Sequence, residues 1–149
     1  MTHENYFMNP IFTPEYYSSN IINPTVKALY IFANSNKFPQ AVFSEPFSLI
    51  ESFFDNKPYK AIAFNEDFIL YLSIKDQLTH IHPNFLITTY LRNYSLCNYG
   101  NVFPEAIMGD VLIFGAKNTS YKNLKLQHYS VPYKFVEEIM TIYEKFTYS

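Results

Sequence analysis

Two histidines separated by one residue, His80 and His82 in THIHPN, are the residues whose type and spacing come nearest to a metal site. Alternate side chains of a strand point to one side of the sheet, so on a strand both imidazoles could contact one ion. Zinc uses three or four ligands, and the other candidates stand at no recognisable spacing: His3, Asp76, Glu105 and His128. We therefore interpret the two histidines as part of a loop or as a hydrogen-bonded pair, and we predict no resident metal or cofactor.

Asp110 follows Gly109 at the start of the apolar run in PEAIMGDVLIFG, residues 104 to 115. A carboxylate beside a flexible backbone could bind a cation or act as a general base. Alternatively, Gly109 supplies an unusual backbone conformation where a strand enters the sheet, and Asp110 accepts hydrogen bonds from nearby amides. We interpret the segment as a buried core strand between Gly109 and Gly115, and keep Asp110 as a candidate binding residue.

The common catalytic motifs are missing from the chain. There is no GxxxxGKS or GxxxxGKT, no GxGxxG, no HExxH, no CxxC and no GxSxG, and three glycines do not build a phosphate loop. The single cysteine, Cys97, excludes an intrachain disulfide and indicates a reducing compartment. No histidine neighbours it in sequence, so a buried or incidental thiol is favoured over a nucleophile. These features favour a protein that is not an enzyme.

The chain contains fourteen tyrosines, many of them in segments without clear periodicity. Tyrosine offers a large contact area with one polar atom and is enriched in recognition surfaces. Part of the excess fits the residue usage of AT-rich coding sequences, which also favours Asn, Ile, Phe and Lys. The candidate binding tyrosines are Tyr16, Tyr17, Tyr94 and Tyr99.

Net charge and the distribution of apolar residues limit the kinds of partner and compartment that we expect. A net charge of −2 disfavours nucleic acid, because nucleic-acid binders carry basic patches. No apolar run approaches the roughly 18 residues that span a bilayer, and the N-terminus lacks the basic and apolar regions of a signal peptide. We therefore expect a cytoplasmic protein that does not contact a membrane. We expect its partner to be another protein or a small ligand.

Hydrophobic periodicity predicts the element order β-α-β-β-(α)-β-α. The predicted elements are a strand at 25–34, a helix at 44–58 capped by Ser44, a hairpin at 59–76, a short helix at 84–92, a strand at 106–114 and a helix from Ser130 to the C-terminus. This order is typical of an α+β domain with a small, mainly antiparallel sheet and helices packed on one face. A chain of 149 residues fits one such domain.

Residues 1–25 differ in composition from the rest of the chain. Pro10, Pro14 and Pro24 stand among aromatic and aliphatic residues there, and prolines at this density forbid a long helix. We predict an N-terminal arm over 1–25 that lies on the core or docks on a partner, followed by a single α+β domain over 26–149.

The succession ALYIFAN, PFSLIESFF, YKAIAFNEDFILYL, IMGDVLIFG and SVPYKFVEEIMTIYEKF resembles a family of small α+β domains of unknown function. That family is found in bacteria, phages and mobile elements. The resemblance covers residues 28 to 146, is best at 107–115, and does not include 1–25 or 93–103. It implies the α+β fold and a phage or mobile-element origin, and it carries over no catalytic residue.

Three hypotheses for the function follow. The first is a non-enzymatic accessory or interaction protein that binds a host protein or a small ligand. The second is a small, hydrolase-like enzyme with a site around Asp110, His80 and His82. The third is a structural subunit of a larger assembly.

Overall fold

A computed structural model of the protein describes residues 25–64, 68–101, 105–116 and 128–148. Six strands and four helices lie within these ranges. In chain order they are β1 (Val26–Ile31), β2 (Gln40–Ser44), α1 (Pro46–Phe54), β3 (Tyr59–Phe64), β4 (Phe68–Ser73), α2 (Ile74–Thr79), α3 (Phe85–Tyr99), β5 (Val111–Ala116), β6 (His128–Tyr129) and α4 (Tyr133–Tyr148).

The strands form one sheet in the order β2-β1-β5-β4-β3, and β6 pairs with the end of β5. Every pairing is antiparallel. The centre of the sheet is β5, in which Leu112 pairs with Tyr30 on one side and with Tyr71 on the other. The predicted α+β class with a mainly antiparallel sheet is therefore confirmed.

Helices cover both faces of the sheet, whereas the sequence analysis expected them on one. A first core packs α3 and α4 against one face, including Leu70, Leu91 and Ile139. A second core packs Leu49, Ile50 and Phe54 of α1 against the other face. The reason lies in the central strands, because β4 is buried at every residue from Phe68 to Ser73. A strand that is apolar on both faces requires a cover on both.

Several predicted elements are confirmed, and three were missed. The hairpin is β3–β4, paired from Tyr59–Ser73 to Phe64–Phe68. The segment at 84–92 is helical and continues to Tyr99, where Gly100 ends it at φ 75°. The missed elements are short: β2, α2 and β6. The six residues of α2 make less than two helical turns, and the two residues of β6 show no alternation.

Neither of the two predicted helix caps, Ser44 and Ser130, is found. Glu45, not Ser44, caps α1 by accepting from the backbone N–H groups of Phe47 and Ser48. Ser44 belongs to β2 and pairs with Val26. Ser130 does not cap α4, because its hydroxyl accepts a hydrogen bond from the Lys27 N–H at 2.9 Å. Both serines instead contact β1, through strand pairing at Ser44 and through the side-chain hydroxyl at Ser130, which sequence alone does not reveal.

Among the described residues, no helix is both long enough and apolar enough to cross a membrane.

Candidate functional site

The residues before β5 form a turn that polar side chains of α2 and α3 hold in place. The Gln77 amide donates to the Met108 carbonyl at 2.6 Å and accepts from the Met108 N–H at 3.2 Å. The Thr88 hydroxyl accepts from the Ile107 N–H at 2.9 Å. The strand predicted at 106–114 therefore begins only at Val111, because these side chains bind the backbone that a strand would use.

Asn84 is the centre of this polar network and is fully buried. Its side-chain amide donates to the carbonyl of Ile31 at 3.0 Å and to the carbonyl of Gly109 at 2.9 Å. Its side-chain oxygen accepts from the Ile87 N–H at 3.2 Å and so caps α3. One side chain thus joins the end of β1, the turn before β5 and the first turn of α3.

Gly109 is required by its conformation and by its contact with α2. Its φ is 79°, in the left-handed region that L side chains rarely adopt. A Cβ at this position would overlap the carboxylate of Asp76. The predicted unusual backbone at Gly109 is therefore confirmed. Gly115, in contrast, does not end the strand; it lies inside β5 and pairs with Phe68 and Tyr129.

Asp110 accepts a hydrogen bond from the Ala33 N–H at 2.8 Å through Oδ1. It therefore ties the residues after β1 to the start of β5. Asp110 also lines a cleft of about 280 Å³ together with Asp76, His82 and Lys37. The Lys37 ammonium lies 5.1 Å from the centroid of the Phe32 ring, a cation–π contact on the wall of the cleft.

The two histidines of THIHPN lie in the connection between α2 and α3, not on a strand. His80 ends α2 with φ 53°, and both imidazoles are exposed. The cleft brings His82 together with Asp110 but does not include His80. Within the described ranges, no group of three His, Cys, Asp or Glu side chains is arranged to hold a metal ion.

The tyrosine candidates divide between the core and the part of the chain outside the described residues. Tyr94 is buried and its ring contacts Phe64, Phe68 and Tyr90. Tyr99 is partly buried at the end of α3 and its ring meets that of Tyr94. Tyr16 and Tyr17 lie outside the described residues. The tyrosines of α3 therefore contribute mainly to packing.

A groove of about 630 Å³ runs between α3 and α4. Aromatic side chains form its floor, and polar groups of α4 form its rim; they include Phe68, Tyr94, Phe135, Glu137 and Lys145. Cys97 also lines the groove and is exposed, so of the two alternatives, a buried or an incidental thiol, the buried one is wrong.

A buried polar pair, Tyr71 and His128, lies on the opposite face of the sheet. The sequence analysis did not predict this pair. The Tyr71 hydroxyl and His128 Nε2 are 2.6 Å apart, and the rings of Phe47 and Phe114 pack edge-on against the imidazole. Burial lowers the pKa of His128 to about 4, while the negative charge of Glu45 acts in the opposite direction. The histidine is therefore neutral at physiological pH and acts as a packed, hydrogen-bonded core residue.

The most distinctive surface lies on the outside of α2 and α3. Four large apolar side chains are more than half exposed there: Leu78 at 76%, Ile81 at 65%, Phe85 at 58% and Leu96 at 53%. Arg92, the only arginine of the chain, is exposed on α3. Phe85, Arg92 and Leu96 are seven and four residues apart and so share one helical stripe. We call these five residues the α2–α3 surface.

Sequence reasoning missed the α2–α3 surface because an apolar residue at helical spacing predicts burial. On α3 the buried stripe is formed by other residues, including Leu86, Tyr90 and Leu91. The helix thus carries apolar residues on both its inner and outer sides. The sequence does hold one signal for this surface: α3 contains more apolar residues than a single buried stripe requires.

Searches of protein-family models, of curated proteins and of solved structures found no match to the chain. The resemblance to the small α+β family therefore stays a prediction.

Replacing Asp110 tests whether its carboxylate stabilises the turn before β5. We expect Asp110→Ala to lower the free energy of unfolding by about 1–2 kcal/mol, because the Ala33 N–H loses its acceptor. Asp110→Asn keeps an oxygen acceptor and should recover most of that loss in urea denaturation. Glu144→Ala, on the exposed side of α4, is the control. An asparagine variant as unstable as the alanine variant would show that the charge itself is needed.

Proposed function

We propose that the protein is a non-enzymatic interaction module that binds another protein through the α2–α3 surface. The observation that carries this proposal is the set of four side chains that are more than half exposed on two consecutive helices and the connection between them: Leu78, Ile81, Phe85 and Leu96. Single exposed apolar residues are ordinary, whereas grouped ones are typical of surfaces that a partner covers.

The backbone beneath this surface is held in one arrangement, which supports a binding role. Gln77, Asn84 and Thr88 bind the turn before β5, and Asn84 and Gly100 cap the two ends of α3. A preordered surface loses little conformational entropy when a partner docks. The apolar side chains of α2 and α3 are therefore presented without a folding step.

The charge of Arg92 indicates the chemistry of the partner. No ion pair involving Arg92 is found within the described ranges, and the residue lies between the exposed Phe85 and Leu96 along α3. Arginine at the centre of an apolar patch is a common hot spot of protein interfaces. We infer a partner that presents an apolar ridge with a carboxylate, which Arg92 can bind through two parallel hydrogen bonds.

The charged residues of α4 offer a contrast within the same molecule. They are Glu137, Glu138 and Glu144 with Lys134 and Lys145, and Lys134 pairs with Glu138 at 3.9 Å. A face of mixed charge is well solvated and has little to gain from a partner. The α2–α3 surface differs from it in both apolar content and unpaired charge.

Site-specific photo-cross-linking in the native cell tests the proposal. A benzophenone amino acid replaces Leu96 in the full chain, and we expect a covalent adduct of one defined mass. Arg92→Glu in the same chain should reduce the adduct at least about tenfold, because it places like charges opposite each other. Arg92→Lys should retain part of it.

The control carries the same amino acid at Ser52, which is exposed on α1 and belongs to the other face of the sheet. An adduct that forms equally from Ser52, or that survives Arg92→Glu unchanged, would contradict the proposed surface. No adduct from Leu96 under conditions where the protein is abundant would do the same.

A further inference from the structure

One side of α4 carries apolar residues that do not line the groove between α3 and α4. They recur at helical spacing and so form one row along the helix: Tyr133, Val136, Met140 and Tyr143. The Tyr143 ring meets the ring of Phe38, which precedes β2, at a centroid distance of 5.2 Å. The row therefore lies on the side of α4 that is turned towards β2.

The strand β2 adds exposed apolar side chains on the same face of the sheet. Phe43 is 70% exposed and stands opposite Lys27, while Ala41 stands opposite Leu29. Directly opposite residues of paired strands point to one face, and Leu29 belongs to the core beneath α3 and α4. Phe38, before the strand, is 61% exposed. We call Phe38, Ala41 and Phe43, together with the α4 row, the β2–α4 surface.

The two sides of the β2–α4 surface run alongside each other and have similar lengths. The Val131 N–H donates to the Lys27 carbonyl at 2.9 Å, so α4 begins beside the Phe43 end of β2, and at Tyr143 it reaches Phe38. The α4 row extends over about 15 Å of helix, and the chain from Phe43 back to Phe38 extends over about 17 Å. The surface is thus an elongated apolar strip.

The segment that precedes β1 joins the described fold at the Phe43 end of this strip. Val26, the first residue of β1, stands opposite Ser44, which follows Phe43. Within that segment, residues 11–22 read IFTPEYYSSNII, in which half of the residues are isoleucine, phenylalanine or tyrosine. Residues 11–24 reach at most about 50 Å when extended, so they can turn back at Thr25 and lie along the whole strip.

The charge and the prolines of the segment also match the strip. Lys27 is partly buried at the Phe43 end, and within the described ranges it forms no ion pair. Glu15 is the only charged residue from 5 to 24, so the segment offers one carboxylate to this ammonium group. Pro14 favours an extended backbone before it, which suits a long strip.

We propose that residues 11–22 lie along the β2–α4 surface of the same chain and cover its exposed rings. The apolar side chains of the segment contact Phe38, Phe43 and Tyr133, which removes grouped apolar area from water on both sides of the contact. Because the segment is attached at one end of the strip, its docking is intramolecular. The α2–α3 surface consists of other residues and remains available to a partner.

Fluorescence of a single introduced tryptophan tests whether the strip is covered, since the chain contains no tryptophan. Phe43→Trp in the full chain is compared with Leu78→Trp, because Leu78 is similarly exposed, at 76%, but lies on the α2–α3 surface. We expect acrylamide to quench the tryptophan at position 43 at least about threefold less, because apolar contact excludes water and quencher from the ring.

Substitutions in the segment identify what covers the ring. Phe12→Ser combined with Ile21→Ser and Ile22→Ser should raise quenching at position 43 to the level at position 78, with an unchanged circular dichroism spectrum. Ser18→Ala with Ser19→Ala is the control and should change neither. A tryptophan at 43 that is as accessible as the one at 78, or that does not respond to the triple substitution, would overturn the proposal. So would quenching that rises on dilution, because a second chain would then be the cover.

Spin labelling locates the segment on the fold. In a Cys97→Ser background, a nitroxide on Ser18→Cys should cause loss of the amide NMR signals of Ala41 and Met140, which return when the label is reduced. The Leu78 signal should keep its intensity. Loss of signal at Ser52 of α1 instead, on the other face of the sheet, or at none of these positions, would contradict docking on the β2–α4 surface.

Discussion

Replacing Asn84 with alanine is expected to lower the free energy of unfolding by about 3–5 kcal/mol. The side chain is fully buried, and its amide serves the carbonyls of Ile31 and Gly109. Its removal leaves both acceptors without this donor in a buried region and removes the cap of α3 as well. Urea denaturation followed by circular dichroism measures the loss.

Two further variants separate the causes of that loss. Asn84→Asp keeps the oxygen that accepts from the Ile87 N–H but replaces the donor with a buried charge, so it should remain strongly destabilised. Asn98→Ala is the matched control, because the Asn98 amide donates only to the Tyr94 carbonyl of its own helix at 2.8 Å, and its loss should be below about 1 kcal/mol. A loss at Asn84→Ala as small as that of the control would contradict a central role for the network.

The stability of the protein is expected to fall as the pH drops from about 6.5 towards 4 because of His128. In the unfolded chain the imidazole has its ordinary pKa near 6.5, whereas burial lowers the pKa in the folded state to about 4. Below pH 6.5 the unfolded state therefore binds a proton that the folded state does not. The stabilisation is complete above pH 6.5, and its full loss amounts to about 3 kcal/mol near pH 4.

The groups around the imidazole account for the lowered pKa of His128. Phe47 of α1 and Phe114 of β5 form its apolar surroundings, while the Tyr71 hydroxyl on β4 lies 2.6 Å from Nε2. Glu45 at the start of α1 favours the proton, but burial outweighs it. An imidazolium here would be a charge in a mostly aromatic environment, which is unfavourable.

Comparison with His128→Gln isolates the contribution of this residue from those of the carboxylates. The difference in unfolding free energy between wild type and His128→Gln should change by about 3 kcal/mol between pH 7 and pH 4. His82→Gln removes an exposed imidazole and should leave the pH profile of the wild type in place. A His128→Gln variant with the same slope as wild type would show that another group dominates the acid destabilisation.

Much of the fold follows from local pattern. Alternation of apolar residues predicts the β3–β4 hairpin, and the amphipathic period predicts α4. Gly109 was recognised as a turn position because glycine is the residue that a left-handed backbone favours. The short elements β2, α2 and β6 could not be found in this way, since their positions depend on pairing with β1, on contact with β4 and on pairing with β5.

The candidate site depends on tertiary structure to a greater degree. Sequence reasoning selected Asp110 and His82, which share a cleft, but it named Asp76 only as a loose addition to a metal site and did not place its carboxylate against Gly109. It also treated Tyr94 as a binding residue, although the ring packs in an aromatic core. Spacing along the chain does not tell whether a side chain on α3 faces the sheet or the solvent when both sides are apolar.

The sequence by itself determined the α+β class, the β3–β4 hairpin, the final helix and the turn at Gly109, because each rests on residues close together in the chain. Only the tertiary structure decided that the helices cover both faces of the sheet and that Asn84 joins three elements. It also decided which apolar residues, among them Phe43 and Phe85, stay exposed. The physical reason is that burial and hydrogen-bond satisfaction belong to the packed chain as a whole.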